Sequence, residues 1–344
     1  MRKLFFFILV IVLITTVGCV SNPQPRQFCA WENKGSHYLQ NHKPPELLTI
    51  ENWDNQFGPG LKLVTRHYEI YTTCTDILIL SDIPAFMESA YKSYEHEIGV
   101  DMDNSARFKV YIFADRIQWE CFTREFASAQ ADILCKIKAG AYCYQGACVA
   151  YNIDRNRIFS AIGHEGWHQF NRRHFHYRLP SWLDEGMAML FETSVCENGI
   201  FLFKTTANSL RLKSLLKTMQ SKNMIPLSTL IRLDPGQVVE TQNSRLVTAF
   251  YCQSYALVRF LRETDLNSRF HLMLTDGVWG DWPVSDKAGT LAADRNVPLT
   301  IGWNRQMGEL IFRSYIDPDF AKVEKAYLRF CTHLVNKFDI VEGK

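Results

Sequence analysis

His164, Glu165 and His168 stand in the order H-E-x-x-H within the stretch Ala161 to Phe170. On an α-helix, positions four apart share a face, so both imidazoles can aim at one point. Glu165, beside them, can reach a water held at that point. Two imidazoles suit a divalent cation such as zinc, and a neighbouring carboxylate can take a proton from the water. The chemistry this spacing offers is hydrolysis at a metal. The alternative is a buried amphipathic helix with incidental histidines, and the residues downstream weigh against it.

A zinc site needs a third protein ligand, and two residues compete for the position. His174 completes H-E-x-x-H-x-x-N-x-x-H, the metzincin spacing with Asn171 where Gly is usual. For His174 to serve, the helix must turn at Asn171, because a continuing helix points a residue six positions past His168 elsewhere. Asn tolerates the left-handed conformation such a turn needs. The other candidate is Glu185, in Trp182-Leu183-Asp184-Glu185-Gly186-Met187-Ala188. Leu179-Pro180 breaks the preceding helix, and Ser181 to Asp184 has the form of a capping box that opens a second one. Gly186 would let that helix approach a neighbour closely. An acidic residue among Trp182, Leu183, Met187 and Met189 has no other evident partner, so Glu185 is the expected ligand and His174 the alternative.

The elements around this motif divide at about Arg155. Before it the pattern is mixed: Leu61–Val64, Tyr68–Thr72 and Phe108–Phe113 read as strands. Asp82 is expected to cap a helix that carries Phe86, Tyr91, Tyr94 and Ile98 and stops at Gly99. Asp115–Phe126 reads as a helix, and Ala141–Asn152 as one strand, an edge on which extended substrate could pair by its backbone. After Arg155 the chain reads as mostly helical. Ser160, Ala161, Gly163 and Gly166 make the motif helix small-faced, which suits a central, buried position. Arg172, Arg173, His174, His176 and Arg178 follow at its end, where cations oppose the helix dipole; binding acidic substrate or lipid headgroups is the other reading of that cluster. Asn208–Gln220 and Leu246–Glu263 are amphipathic helices, and the second holds Tyr251 and Tyr255 one turn apart. Asp276 to Gly302 reads as a loop region, and Asp317-Pro318 as the start of a last helix.

The 344 residues suffice for a sizeable core, and 47% apolar with 22% charged residues is ordinary for a globular protein. A formal net charge of +2 and the lack of a long basic run give no reason to expect nucleic acid as a partner. The first residues differ in kind. Arg2 and Lys3 precede an apolar run, Leu4 to Val17, that is too short for a spanning helix and fits an export signal. Thr15-Thr16-Val17-Gly18-Cys19 resembles a bacterial lipoprotein cleavage box, in which the Cys becomes the lipid-bearing first residue. A polar tether follows. Nine further cysteines remain, and in an oxidising compartment several are expected to form disulfides, with at least one left over.

H-E-x-x-H followed by W-L-x-E-G-x-A resembles the gluzincin branch of zinc metallopeptidases. More closely, it is similar to the peptidase-MA-like domain of bacterial envelope lipoproteins. Tyr251-Cys252-Gln253-Ser254-Tyr255-Ala256-Leu257-Val258 extends the likeness to the Y-x-Q-S-x-x-L-V helix of that group. The resemblance implies an α+β, zincin-like fold with a single Zn2+ on His164, His168 and Glu185, and with Glu165 as general base. Met189 stands where thermolysin-like members carry an Asp that orients a histidine, so Asn171 or Glu192 is expected to take that part. Tyr251 or Tyr255 could supply a phenol to the oxyanion. The expected organisation is a signal over 1–18, a lipidated Cys19 and tether over 19–45, and one domain over 46–344, with an α/β part to residue 154 and a helical part after it. The expected function is hydrolysis of peptide or protein substrates by an exported protein, lipid-anchored in the bacterial envelope and facing periplasm or exterior. A non-catalytic envelope lipoprotein that uses the same scaffold for binding is the rival expectation, and hydrolysis of a non-peptide amide a third.

Overall fold

The computed structural model describes residues 33–102, 106–138, 140–295 and 301–342. The expected signal, Cys19, Cys29 and most of the tether lie outside them. After α1 (Lys34–Asn41), the N-terminal part builds a sheet from β1 (Thr49–Asn52), β2 (Leu61–Val64), β3 (Tyr68–Thr72), β4 (Phe108–Phe113), β5 (Ala141–Tyr144) and β6 (Ala147–Tyr151). The spatial order is β1-β2-β3-β4-β6-β5. β3, β4 and β6 run parallel, and the outer pairs are antiparallel. α2 (Ile77–Ile98) makes the crossover from β3 to β4, while α3 (Arg116–Phe126) and α4 (Ala131–Leu134) precede β5. Helices then dominate, so the fold class is α+β.

Strand alternation sends side chains to two faces. Leu63, Ile70, Val110 and Cys148 join the main core with α2 and with α5 (Arg155–His174), whereas Phe113, Tyr142 and Val149 pack with Trp119 and Phe122 of α3. The main core continues into α6 (Ser181–Ala188), α7 (Ser209–Gln220), α10 (Ser244–Glu263), α11 (Asn267–Trp279), α13 (Ile301–Tyr315) and α14 (Phe320–Glu342). Shorter helices α8 (Leu227–Leu230), α9 (Pro235–Glu240) and α12 (Asp286–Ala293) complete the helical part, and β7 (Ser194–Glu197) and β8 (Ile200–Phe203) form a separate hairpin.

Several local expectations need correction. α2 starts five residues before Asp82; Asp76 is its N-cap, accepting from the amides of Leu78 and Ile79, and Asp82 pairs with Arg155. Gly99 does end it, with φ 76°. The stretch from Ala141 is a hairpin rather than one strand, because Gln145 and Gly146 both take positive φ, the geometry a two-residue turn needs. α6 has no side-chain cap: Pro180 holds the N-cap position, and Ser181 and Asp184 turn to other partners. Between Asp276 and Gly302 lie the end of α11, the whole of α12 and the start of α13. The last helix begins at Phe320, not at Asp317. The eight described cysteines, Cys74, Cys121, Cys135, Cys143, Cys148, Cys196, Cys252 and Cys331, are all unpaired, so no expected disulfide forms among them.

Candidate metal centre

α5 begins where Asp154 caps it by accepting from the Arg157 amide at 2.9 Å. It runs unbroken through the motif to His174, so His164 and His168 project from one face. Small residues on its other faces admit close neighbours. A Cβ on Gly166 would lie 2.5 Å from the Tyr94 hydroxyl, and that hydroxyl donates to the Gly163 carbonyl at 2.7 Å. Gln169 fixes the helix to the sheet, donating to the Lys109 carbonyl at 2.8 Å and to the Gly146 carbonyl in the β5–β6 turn at 2.7 Å.

α6 returns Glu185 to the two imidazoles. It can do so because Gly186 lies against α10, where a Cβ would meet Val258 Cγ2 at 2.5 Å and the Ser254 carbonyl at 2.6 Å. One ligand atom from each of His164, His168 and Glu185 falls within 4.8 Å of the others. His164 Nε2 and His168 Nε2 are 3.2 Å apart, and Glu185 Oε2 lies 3.4 and 3.9 Å from them.

Each imidazole is oriented from behind. His168 Nδ1 faces Asp184 Oδ1 at 2.9 Å, and His164 Nδ1 faces Glu192 Oε1 at 3.0 Å. Carboxylates accept, so both Nδ1 atoms carry protons, and in the neutral rings both Nε2 atoms present lone pairs to each other. Trp167 Nε1 and Asn171 Nδ2 also donate to Asp184 Oδ1, at 3.0 and 2.5 Å. Glu192 is held in turn by Asn208 at 2.7 Å and by Arg211 at 2.6 and 2.9 Å.

This donor set fits a cation. Two imidazole lone pairs and a carboxylate oxygen converge, and Glu185 Oε2 is buried with no hydrogen-bond partner. Electron-rich atoms so close repel unless positive charge lies between them. The charges within the chain press the same way. Burial opposes the charged form of His164, yet Glu185 and Glu192 outweigh it and hold that ring up at about 10. Burial likewise opposes charge on His168, and Asp184 with Glu185 lifts it to about 9. Two imidazolium protons cannot share a 3.2 Å gap comfortably, whereas one divalent ion satisfies all three donors.

The site opens into a cleft of about 740 Å³ lined by His164, Glu165, His168, Glu185 and Tyr251, with β5 along one side. Tyr151 N–H donates to the Gly140 carbonyl at 3.0 Å, which sets the phase of the hairpin pairing. Cys143 and Ala141 therefore turn their backbone groups away from β6, towards the cleft. The Cys143 amide is near enough to Glu165 to act on its carboxyl. Burial raises the Glu165 carboxyl above its ordinary range, while the two histidines and that amide pull it back in part.

The remaining expected residues separate clearly. Tyr251 lines the cleft, and the charge of Glu185, then burial, push its phenol well up, so it stays protonated. Tyr255 does not line it; its hydroxyl donates to the Thr205 carbonyl at 3.0 Å. His174 is directed away from the metal candidates, its ring packed 4.5 Å from that of Phe170 and 5.8 Å from that of Phe108. Asn171 and Glu192 both join the supporting shell. Sequence reasoning missed Asp184 and Arg211. The signal for Asp184 was its adjacency to Glu185, read instead as part of a cap.

A family model described as "Protein of unknown function (DUF1570)" matches residues 158–275. The matched stretch contains His164, Glu165, His168, Asp184, Glu185, Glu192, Arg211 and Tyr251. No curated protein matches the chain.

Proposed function

We propose that this chain is a zinc-dependent hydrolase of peptide bonds, exported and held at the envelope membrane by lipid on Cys19. The observation that carries the reading is the convergence of three donors, with an orphaned Glu185 oxygen, on a cleft that also holds Glu165. A bound zinc would supply Lewis acidity, lowering the pKa of a water towards about 7 and polarising a substrate carbonyl. His164, His168 and Glu185 would hold the ion, with Glu192 and Asp184 fixing the two rings.

Glu165 takes a proton from water and later delivers it to the leaving amine. Its elevated carboxyl pKa favours the first step, since the conjugate base of a stronger acid would take the proton poorly. Tyr251 keeps its proton and donates it as a hydrogen bond to the developing oxyanion. β5 offers outward-facing backbone groups at Ala141 and Cys143 to an extended peptide.

The test is metal content beside turnover. Full-length chain purified in detergent and reconstituted should hold about one zinc and hydrolyse members of a mixed peptide library. Chain that takes up no metal would sink the reading, and chain that takes up zinc but cleaves nothing favours a binding role for the same scaffold. Among the described residues no helix is long and apolar enough to cross a membrane. On the proposed reading the attachment is lipid on Cys19, and Cys19→Ser should leave the precursor unprocessed or release the protein from the membrane fraction.

A further inference from the structure

The cleft that holds the metal candidates is also lined by Arg172, Arg178 and Arg295, which reach it from three separate segments. Arg172 follows His168 by four residues, so His164, His168 and Arg172 form one stripe along α5. Arg178 lies in the connector before Pro180, and Arg295 lies just past α12. Neutral groups anchor two of them. Arg295 Nη2 donates to the Phe175 carbonyl at 2.6 Å; Arg178 Nη2 donates to the Leu291 carbonyl at 3.1 Å and its guanidinium lies 4.7 Å from the Trp303 ring centroid.

The three cations repel one another. Burial, then Arg172 and Arg178, bring Arg295 down to about 10, and only Asp184 acts the other way. Asp184 is already engaged, since its Oδ1 accepts from Trp167, His168 and Asn171. Asp294 faces Arg178, where burial is the largest influence and Arg172 again opposes. Asp184 and Asp294 thus offset part of the repulsion among the three guanidiniums. Such an arrangement is costly in the empty chain and becomes favourable when an anion enters.

We propose that this arginine group binds a carboxylate of the substrate, which makes the hydrolase selective for peptides carrying negative charge on one side of the cleaved bond. The proposal rests on the reading of the cleft as a peptide site. Guanidinium forks match a carboxylate in plane and charge, and three converging on one pocket leave a neutral side chain poorly accommodated. The spacing bounds the position. One helical turn separates His168 from Arg172, about 6 Å, and an extended peptide advances about 3.4 Å per residue. The carboxylate thus lies on the order of two residues from the bond cleaved. It is either the α-carboxylate of a short C-terminal leaving segment or an Asp or Glu side chain at that position.

Binding, not turnover, is the decisive measurement. Full-length, zinc-loaded chain carrying Glu165→Gln is titrated with three matched peptides: a free C-terminus, the same peptide amidated, and an amidated peptide with Asp near its end. The expected result is at least ~10-fold tighter binding of one carboxylate form over the neutral amide, weakening with added salt. Preference for the free C-terminus identifies the α-carboxylate, and preference for the Asp peptide identifies the side chain. Arg172→Ala and Arg295→Ala, in the same background, should each bring the ratio to within about twofold, with Arg295→Lys recovering part of it. Arg172 is exposed, so its truncation leaves the core packing unaltered. Equal binding of all three peptides, or a preference that survives both truncations in folded protein, overturns the proposal. Absence of peptide hydrolysis by the unmodified chain, with the preference intact, would instead count against the hydrolase reading alone.

Discussion

Glu165 and Glu185 are both carboxylates at the same cleft, and their surroundings give them different tasks. Burial raises the Glu165 carboxyl and the nearby Cys143 amide lowers it in part, which suits the proposed role of accepting a proton and later giving it up. Replacing it with Gln keeps volume and a hydrogen-bond acceptor but removes basicity. Glu165→Gln should therefore retain zinc, measured by atomic absorption, while peptide turnover falls by about 10²–10⁴-fold. Glu185 Oε2 is buried without a hydrogen-bond partner, and the proposed role for it is to meet a cation. Glu185→Ala should lose zinc on dialysis. His174→Ala should keep it, because His174 packs among Phe170, Phe108 and Tyr91 on another side of α5. Zinc lost from the His174 variant and kept by the Glu185 variant would reverse the ligand assignment.

Two packing contacts set the site at the level of elements. α6 can bring Glu185 forward only because Gly186 lets it lie on α10. A methyl there collides with Val258 and with the Ser254 backbone, and a packed core yields at a cost of about 1–3 kcal/mol. Gly186→Ala should lower the melting temperature and also weaken zinc affinity, since Glu185 must move with its helix; an unchanged affinity would show that the ligand is set by other contacts. The second contact is the buried pair that ties α2 to the start of β3. Glu88 accepts the His67 amide at 2.9 Å and lies 2.6 Å from His67 Nδ1. Burial would raise its carboxyl, but His67 and Thr65 hold it below its ordinary 4.5. A depressed carboxylate contributes stability in full above 4.5 and loses it as pH falls through the lower folded value. Glu88→Gln should thus cost about 2 kcal/mol at pH 7 in urea unfolding, and the gap to the unmodified chain should narrow in acid. These contacts explain what was legible beforehand. The grouping of His164, His168 and Glu185, the strands Leu61–Val64, Tyr68–Thr72 and Phe108–Phe113, and the value of Gly186 follow from spacing and residue type. The turn at Gln145, the cap at Asp76 and the use of Asp184 do not, because each residue has several local partners and only tertiary contacts choose among them.

For the whole molecule, the metal candidates sit at the seam between the sheet and the helical part, on α5 and α6, which both belong to the main core. The frame that aims them makes few demands on the ion. Tyr94 holds Gly163, Gln169 holds the hairpin, and Arg211 with Asn208 holds Glu192, all by contacts formed within the chain. The protein should accordingly fold without metal, unlike small domains in which metal binding is the folding energy. Zinc then adds stability by mass action alone, about 4 kcal/mol when free zinc exceeds its dissociation constant a thousandfold. Melting curves of the full chain should rise with zinc and fall back with a chelator, staying cooperative in both states. The Glu185→Ala variant separates this from a general salt effect. It should show no zinc-dependent shift, and its metal-free form should melt below the metal-free parent, because Glu185 offsets charge on His164 and His168. A Glu185→Ala variant that still rises with zinc as the parent does would mean that the ion is held by other residues.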